Sequence, residues 1–568
     1  ALNSAFMEAS MSDMATLIPI MYGVLLLVMV LLLRSLGGTF ATLAVIGFSA
    51  ATAMGLAGWA GIQLTPPSSV APTVILTLAI ADSIHLLVTM LKEMRAGASK
   101  RDAIVESIRI NFQPVFLTSL TTVIGFMSLN FSDSPPFHDL GNITATGVVA
   151  AWFYSIVFLP ALIAVIPLRV KQQAESGRSA MDRLAGFVIA QRTALIWGTA
   201  AVVIGLGAMV PRIELNDQFV QYFDKSIPFR ADTDFAMENL SGIYQVNWSL
   251  EAGQEGGISD PGYLKRVEAF GAWLEEQPGV VHVSTTTDMY TRLNRNMHGD
   301  DPAWYQLPED RELAAQYLLL YEMSLPYGLD LNNRINIDKS ATRLVATTEN
   351  FTTNELRALE AAGRGWLAEN LPSASGDATG PVIMFAYITE RNTKSMLVGT
   401  GIAFALISLT LILALRSFRL GLLSLVPNAV PALMAFGLWS ILVGQVDMAS
   451  SIVAATSLGI VVDATVHFLS KYSRARRQRG EDPEASVRYA FSTVGTALWV
   501  SSGILIAGFA VLGLSTFRLN NSMGMLTAIA IGMALLVDFL LLPALLLTID
   551  RKRKGSSNEP DLITQPAE

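Results

Sequence analysis

Eleven apolar windows, each about 20 residues long, punctuate this chain near 14–33, 39–61, 70–91, 110–131, 142–167, 193–211, 395–415, 419–443, 448–470, 490–514 and 523–549. About 20 helical residues cross the roughly 30 Å of hydrocarbon in a bilayer. Within that layer only helices or closed barrels satisfy every backbone polar group. The windows therefore predict a polytopic α-helical membrane protein. Composition agrees, because only 15% of the 568 residues are charged, against about 25% in an average soluble domain. A net charge of −8 argues against a nucleic-acid partner, which demands basic surface. The chain has no cysteine, which removes disulfides, thiolate metal sites and cysteine nucleophiles from consideration. Nor does it carry the Gly-rich GxxxxGK[ST] loop that would hold ATP.

Lys and Arg fall on one side of the windows. Arg34, the group Lys92–Arg109, the stretch Arg169–Arg192, Arg416 with Arg419, the run Lys471–Arg479 and the tail Arg551–Lys554 all occupy loops of one parity. Loops 62–69, 132–141, 444–447 and 515–522 hold only Arg518. Basic short loops stay in the cytoplasm, so the polar stretch 212–394 is expected outside, in the periplasm of an inner membrane. That stretch has 27 acids and 15 bases, an excess larger than the net charge of the whole chain.

The chain repeats itself. Leu31–Ser35 returns as Leu413–Ser417 and Ile84–Leu87 as Val466–Leu469, both at an offset of 382. Gly125-Phe126 returns as Gly508-Phe509, and Leu159-Pro160-Ala161-Leu162 as Leu542-Pro543-Ala544-Leu545, at an offset of 383. Each copy holds five spans and opens a short amphipathic helix after its third, capped by Ser99 in one and by Asp482 before Pro483 in the other. An odd number of spans would invert the second copy; the single window 193–211 restores it, giving parallel repeats about an axis along the membrane normal. The predicted organisation is 1–13, the end of a further external domain; 14–170, the first repeat; 171–192, a cytoplasmic linker; 193–211, an anchor span; 212–394, an external domain; 395–550, the second repeat; and 551–568, a cytoplasmic tail. By this symmetry an anchor span and a first external domain are expected to precede the stub 1–13, the plainer alternative being an eleven-span protein.

Inside 212–394 the pattern alternates between strands at 244–250, 280–287, 342–348 and 380–386 and helices at 262–276, 309–323 and 353–371. Two βαβ-type units predict α+β, ferredoxin-like subdomains. His282 and His298 lack partners at metal-ligand spacing, and no metal or other cofactor is expected. The aromatic run Phe219–Phe235 reads as ordinary packing or as the lining of a route for an apolar substrate.

Few ionisable residues sit at membrane depth, where each costs about 2.5–3.5 kcal/mol on insertion scales and normally faces a bundle interior. They are Asp82 and His85 in the third window, Asp463 and His467 in the ninth, and Asp538 in the eleventh, opposite Ser155 in the repeat. Spacings of three and four put carboxylate and imidazole on one helix face, and the repeat turns both faces toward its axis. Burial favours the neutral forms and pairing the charged ones, a balance suited to a proton relay. A satisfied structural pair holding two helices together is the plainer alternative. The registers differ, since Asp463 aligns with Ala81 and Asp82 with Ala464.

Duplicated spans, a domain inserted after the first span of a repeat, and mid-span acids resemble the RND superfamily of exporters. The motifs Ile80-Ala-Asp82-Ser-Ile-His85-Leu and Val462-Asp463-Ala-Thr-Val-His467 are most similar to its MMPL and sterol-sensing-domain-containing branch. That branch often has two adjacent acids before the Ser/Thr and His; each copy here keeps a different one. The drug-efflux branch places a lysine in the span equivalent to the ninth window, and no match to it is visible. The resemblance implies proton-driven export of lipid-like or hydrophobic compounds, with membrane lipids as surroundings and the acids of the third and ninth windows carrying the proton. It implies no enzyme activity. A lipid-binding sensor without coupled transport and a protein-translocation accessory remain alternatives. The coupling ion and any homo-oligomer are left open.

Overall fold

A computed structural model describes residues 2–167, 180–240 and 243–550. Arg169, Lys171, Arg178 and the basic tail from Arg551 lie outside these. Eleven helices are long and apolar enough to cross a membrane: Leu2–Leu31, Leu36–Trp59, Ser68–Arg95, Lys100–Phe131, Pro135–Val165, Arg192–Arg212, Pro381–Leu415, Phe418–Leu442, Met448–Gln478, Pro483–Leu512 and Arg518–Ile549. Their number and order match the eleven windows, but several are longer than read. The stub 1–13 is not a separate element, since residues 2–13 are the first turns of the first helix. The two capped amphipathic helices are likewise not separate. Ser99 accepts from the Asp102 N–H at 3.2 Å and Asp482 from Ala485 N–H at 2.8 Å, and the helices they cap run on through the membrane as the fourth and tenth. Pro114 lies inside the fourth helix and a π turn at Phe491–Gly495 inside the tenth, yet neither ends its helix, and one continuous helix avoids a second costly nucleation.

The third and ninth helices are the most enclosed, and the sixth is the most exposed. Contacts obey the repeat: the fourth helix packs on the ninth as the tenth packs on the third. Glycines set the closeness. A Cβ on Gly125 would lie 2.9 Å from Gly459 Cα, and one on Gly508 2.5 Å from Thr77 Cγ2; Gly125 and Gly508, like Thr77 and Gly459, are repeat equivalents. Such small-residue contacts let helix backbones approach where lipid offers no hydrophobic drive to association. Both copies also break α geometry at the same place, in π turns at Tyr154–Phe158 and Val537–Leu541. Pro160 and Pro543 follow at the repeat offset and supply no N–H for an i→i−4 bond.

The extramembrane domain sits at the end of the bundle opposite the basic loops. Its sheet has four strands, Tyr244–Glu251, Val280–Ser284, Ala341–Thr348 and Ala378–Thr379. All pairings are antiparallel and the spatial order is second, third, first, fourth. Two split βαβ units interlock in one sheet, so there is one ferredoxin-like unit here rather than two subdomains. Helices Pro261–Glu275 and Thr353–Asn370 pack together over the sheet, with Phe270 edge-on to Trp248 at 5.6 Å and 5.0 Å from Trp366. The strand expected at 380–386 is a helix instead. Pro381 occupies the first helical turn, where its missing N–H costs nothing, and the helix runs unbroken into the membrane as far as Leu415.

Domain and bundle are joined tightly. Glu214 and Leu215 pair in parallel with Gln445 and Val446, just before the ninth helix. Phe223 and Phe517 contact Phe6 of the first helix, with ring centroids at 5.1 and 5.8 Å. Phe219, Tyr222 and Phe223 are buried, which makes the aromatic run largely a packing element. Asp13 accepts from Ser515 and from Asn520 Nδ2 at 3.0 Å. At the equivalent place Ser395 Oγ donates to Asp133 at 2.8 Å. The repeat keeps the contact and exchanges donor for acceptor.

Asp217 lies buried in this joint, accepting from the hydroxyls of Tyr222 and Thr389. Burial pushes its carboxyl up to about 6 from 3.8, with nearby Asp447 adding to the rise and the two hydroxyls opposing it. The folded state therefore holds the neutral form better than the unfolded chain does. Its contribution is fully present at acid pH and is lost as pH rises through about 6. Relative to Asp217→Asn, the wild type should lose up to about 3 kcal/mol of stability between pH 4 and pH 7. Unfolding both proteins in detergent across that range checks it, and a difference that does not change with pH would refute it.

Candidate functional site

The buried Asp/His cluster forms where the two repeats meet. His85 and His467, 382 residues apart in sequence, stack face to face with centroids 3.7 Å apart and planes 6° apart. Asp463 lies beside both: its Oδ2 is 3.6 Å from His85 Nε2 and its Oδ1 is 3.5 Å from His467 Nε2. The exposures of His85, His467 and Asp463 are 1%, 0% and 8%, so the three groups interact with little solvent screening. Among the described residues none of the four ring nitrogens has a hydrogen-bond partner.

Asp82 does not join that trio. Its Oδ2 accepts from Ser119 Oγ at 2.9 Å on the fourth helix, yet it lines the same small cavity as Asp463. The register explains the split. The Asp-to-His spacing is three in the first copy and four in the second, and one residue turns a helix by about 100°. That rotation carries Asp463 to the edge of the two stacked imidazoles and Asp82 toward Ser119. The cavity, about 30 Å³ and bordered also by Thr118 and Thr122, exceeds what one water needs.

Asp538 is held one step away, accepting from Thr465 Oγ1 at 2.7 Å. The equivalent pair in the first copy, Ser83 and Ser155, is joined at 3.1 Å. Ser155 and Asp538 both sit in the π turns, a distortion frequent at functional sites. The second oxygen of Asp538 has no hydrogen-bond partner among the described residues.

Sequence reading missed three residues. Ser119 and Thr465 are the donors to two of the acids, and single hydroxyls on apolar spans give no signal without the partner helix. Lys471, expected in a loop, is buried because the ninth helix continues to Gln478. It lies four residues beyond His467, hence on one face with it, and its Nζ donates to the Ile110 carbonyl at 2.9 Å. His85, Asp463 and His467 each offer a ligand atom within 4.8 Å of the others, so the same trio could hold a cation. His282 is 3.8 Å from Glu275 and His298 stacks on Trp304; neither meets a second ligand set.

Comparison with known proteins fits this arrangement. The model of the MMPL family matches residues 1–202 and 335–560. A membrane protein of Methanocaldococcus jannaschii is 24% identical over 300 residues, covering 52% of this chain and 73% of that protein. The hopanoid transporter HpnN of Rhodopseudomonas palustris is 29% identical over 185 residues, 32% of this chain but only 21% of that protein. Among solved structures, the hedgehog release protein Disp of the water bear Hypsibius dujardini superposes with a TM-score of 0.62 at 16% identity, over 97% of this chain and 71% of that one. That likeness concerns the fold: duplicated spans about a central helix pair. The family model covers most of the chain, both repeats included, and the chain belongs to the MMPL family.

Proposed function

We propose that this protein exports lipid-like or hydrophobic compounds across the inner membrane, driven by an ion gradient, with a proton as the coupling ion. The observation that carries the reading is Asp463 lying beside the stacked His85 and His467, within reach of both, at the interface of the two repeats. A carboxylate beside two imidazoles can take up and release a charge without unfolding its surroundings. Asp463 and His467 share the ninth helix while His85 stands on the third, so whatever moves one repeat against the other changes the Asp463–His85 contact and the imidazole stack while leaving Asp463–His467 in place, which ties protonation to conformation. Asp82, at the shared cavity, hands the proton on. Asp538 orients Thr465 on the ninth helix and forms the outer member of the relay. The lipid-like substrate is inferred from family membership and from what HpnN is named for.

The test is transport in proteoliposomes. A panel of radiolabelled triterpenoid and acyl lipids is offered under an imposed pH or sodium gradient. Flux that follows the pH gradient supports the reading; flux indifferent to both gradients overturns it in favour of a lipid-binding protein.

Sidedness has its own test. The reading puts the 212–394 domain outside and the basic loops in the cytoplasm. The cysteine-free chain accepts single probes at Gln63 and Arg479, both exposed. Gln63→Cys should react with an impermeant thiol reagent from outside intact cells, and Arg479→Cys only after permeabilisation. Reaction of both from one side would overturn the topology.

A further inference from the structure

Between the basic ends of the fourth, seventh and ninth helices lies a pocket of about 560 Å³ whose lining includes Arg109, Arg416, Lys471, Arg474 and Arg477. Five cationic side chains around one cavity repel each other, and such a cluster persists only where function or counter-charge offsets the cost. The protein supplies little counter-charge. Glu106 pairs with Arg109 through two bonds of 2.7 and 2.5 Å. Lys471, Arg474, Arg416 and Arg477 have no carboxylate at ion-pair distance among the described residues. Three of them are occupied instead by neutral acceptors: Lys471 by the Ile110 carbonyl at 2.9 Å, Arg474 by Gln478 at 3.1 Å and Arg477 by the Arg416 carbonyl at 3.2 Å. Lys471, only 2% exposed, keeps two of its three ammonium protons for another acceptor.

We propose that this pocket binds the phosphate group of an anionic phospholipid from the leaflet at the basic end of the bundle. A phosphate diester brings one negative charge and several acceptor oxygens, the complement of an ammonium floor with guanidinium walls. The choice of a lipid over free phosphate rests on what flanks the cavity. On the adjoining turns Phe112 and Phe116 of the fourth helix and Leu409 and Leu413 of the seventh are all exposed and apolar. Acyl chains can lie along them while the headgroup reaches the bases. Basic clefts between helices at a membrane face are suited to acidic headgroups on general electrostatic grounds. This site depends neither on the Asp/His relay nor on the direction of transport.

The full chain is reconstituted in nanodiscs of equimolar phosphatidylglycerol and phosphatidylcholine, and retained lipids are counted by native mass spectrometry. Wild type should retain phosphatidylglycerol selectively. The double variant Arg474→Gln/Arg477→Gln, at partly and fully exposed positions that leave the core intact, should bind it roughly 30-fold more weakly, at about 1 kcal/mol per basic residue near an anionic leaflet. The control Arg95→Gln/Arg101→Gln removes the same charge from exposed sites on the same face and should retain wild-type occupancy. Equal retention by all three proteins, or equal loss in both variants, overturns the proposal. A parallel arm dialyses labelled inorganic phosphate against the protein in phosphatidylcholine alone. Phosphate retained by wild type and lost in the double variant, with phosphatidylglycerol occupancy unchanged between them, assigns the pocket to a free anion and overturns the lipid.

Discussion

Asp463→Asn is expected to abolish gradient-driven flux while leaving the protein folded. Asparagine keeps the size and most of the polarity of aspartate but cannot titrate. One charge crossing a potential of about 150 mV releases roughly 3.5 kcal/mol. At about 1.4 kcal/mol per decade this sustains a substrate gradient of two to three decades. Removing the coupled charge should therefore collapse steady-state accumulation by about 100-fold or more. Asp82→Asn should do the same, since Asp82 borders the same cavity. Ser155→Ala, at the repeat position equivalent to Asp538, should be tolerated by comparison. The measurement is flux normalised to folded protein in the membrane. Normal flux from both asparagine variants would remove the relay, and loss of folded protein instead would favour a purely structural pair.

The largest effect on stability is expected at the contact between repeats. A Cβ at Gly125 would stand 2.9 Å from Gly459 Cα and 3.1 Å from Gly459 N. These are backbone atoms, which cannot rotate away as a flexible side chain would. Thr122 Oγ1, one turn earlier, already donates to the Gly459 carbonyl at 3.0 Å, so the helices cannot separate without losing that bond. Gly125→Leu should destabilise the protein by about 3 kcal/mol or more, at the upper end of overpacking costs. Gly401→Leu, on the seventh helix with open space around it, is the control and should change stability little. Thermal unfolding in detergent compares them; equal melting would mean that the two helices part more easily than their contacts imply.

What was legible in the sequence follows from the physics of each signal. The spans were readable because about 20 apolar residues have few other uses in a chain, and the repeat because two copies report each other. Helix starts were visible in the Ser99 and Asp482 caps, but the merging of those helices with the next spans was not. Propensity says where a helix can begin, but the fourth helix runs straight past Pro114, and that continuity is set by the packing around it. The domain was readable as strands and helices at local level, while the fusion of two βαβ units into one sheet is a property of pairing. The fourth strand was expected at 380–386, where the short apolar run instead opens a helix with Pro381 in its first turn. At the site, the five acids and histidines were recognisable by cost alone, since charge at membrane depth needs a reason. Which acid would face the imidazoles depended on one residue of register between spacings of three and four. Ser119, Thr465 and Lys471 became visible only when their partner helices were in place.

The measurement that bears most directly on the central claim is proton movement in step with substrate. Wild type and Asp463→Asn are reconstituted into vesicles loaded with a pH-sensitive dye, under an imposed pH gradient. Adding a transported lipid should accelerate dissipation of the gradient in wild type and have no effect in the Asp463→Asn vesicles. Lipid transport by wild type at the same rate with and without the gradient, with no change in the dye signal, would contradict coupling through the Asp463–His85–His467 cluster.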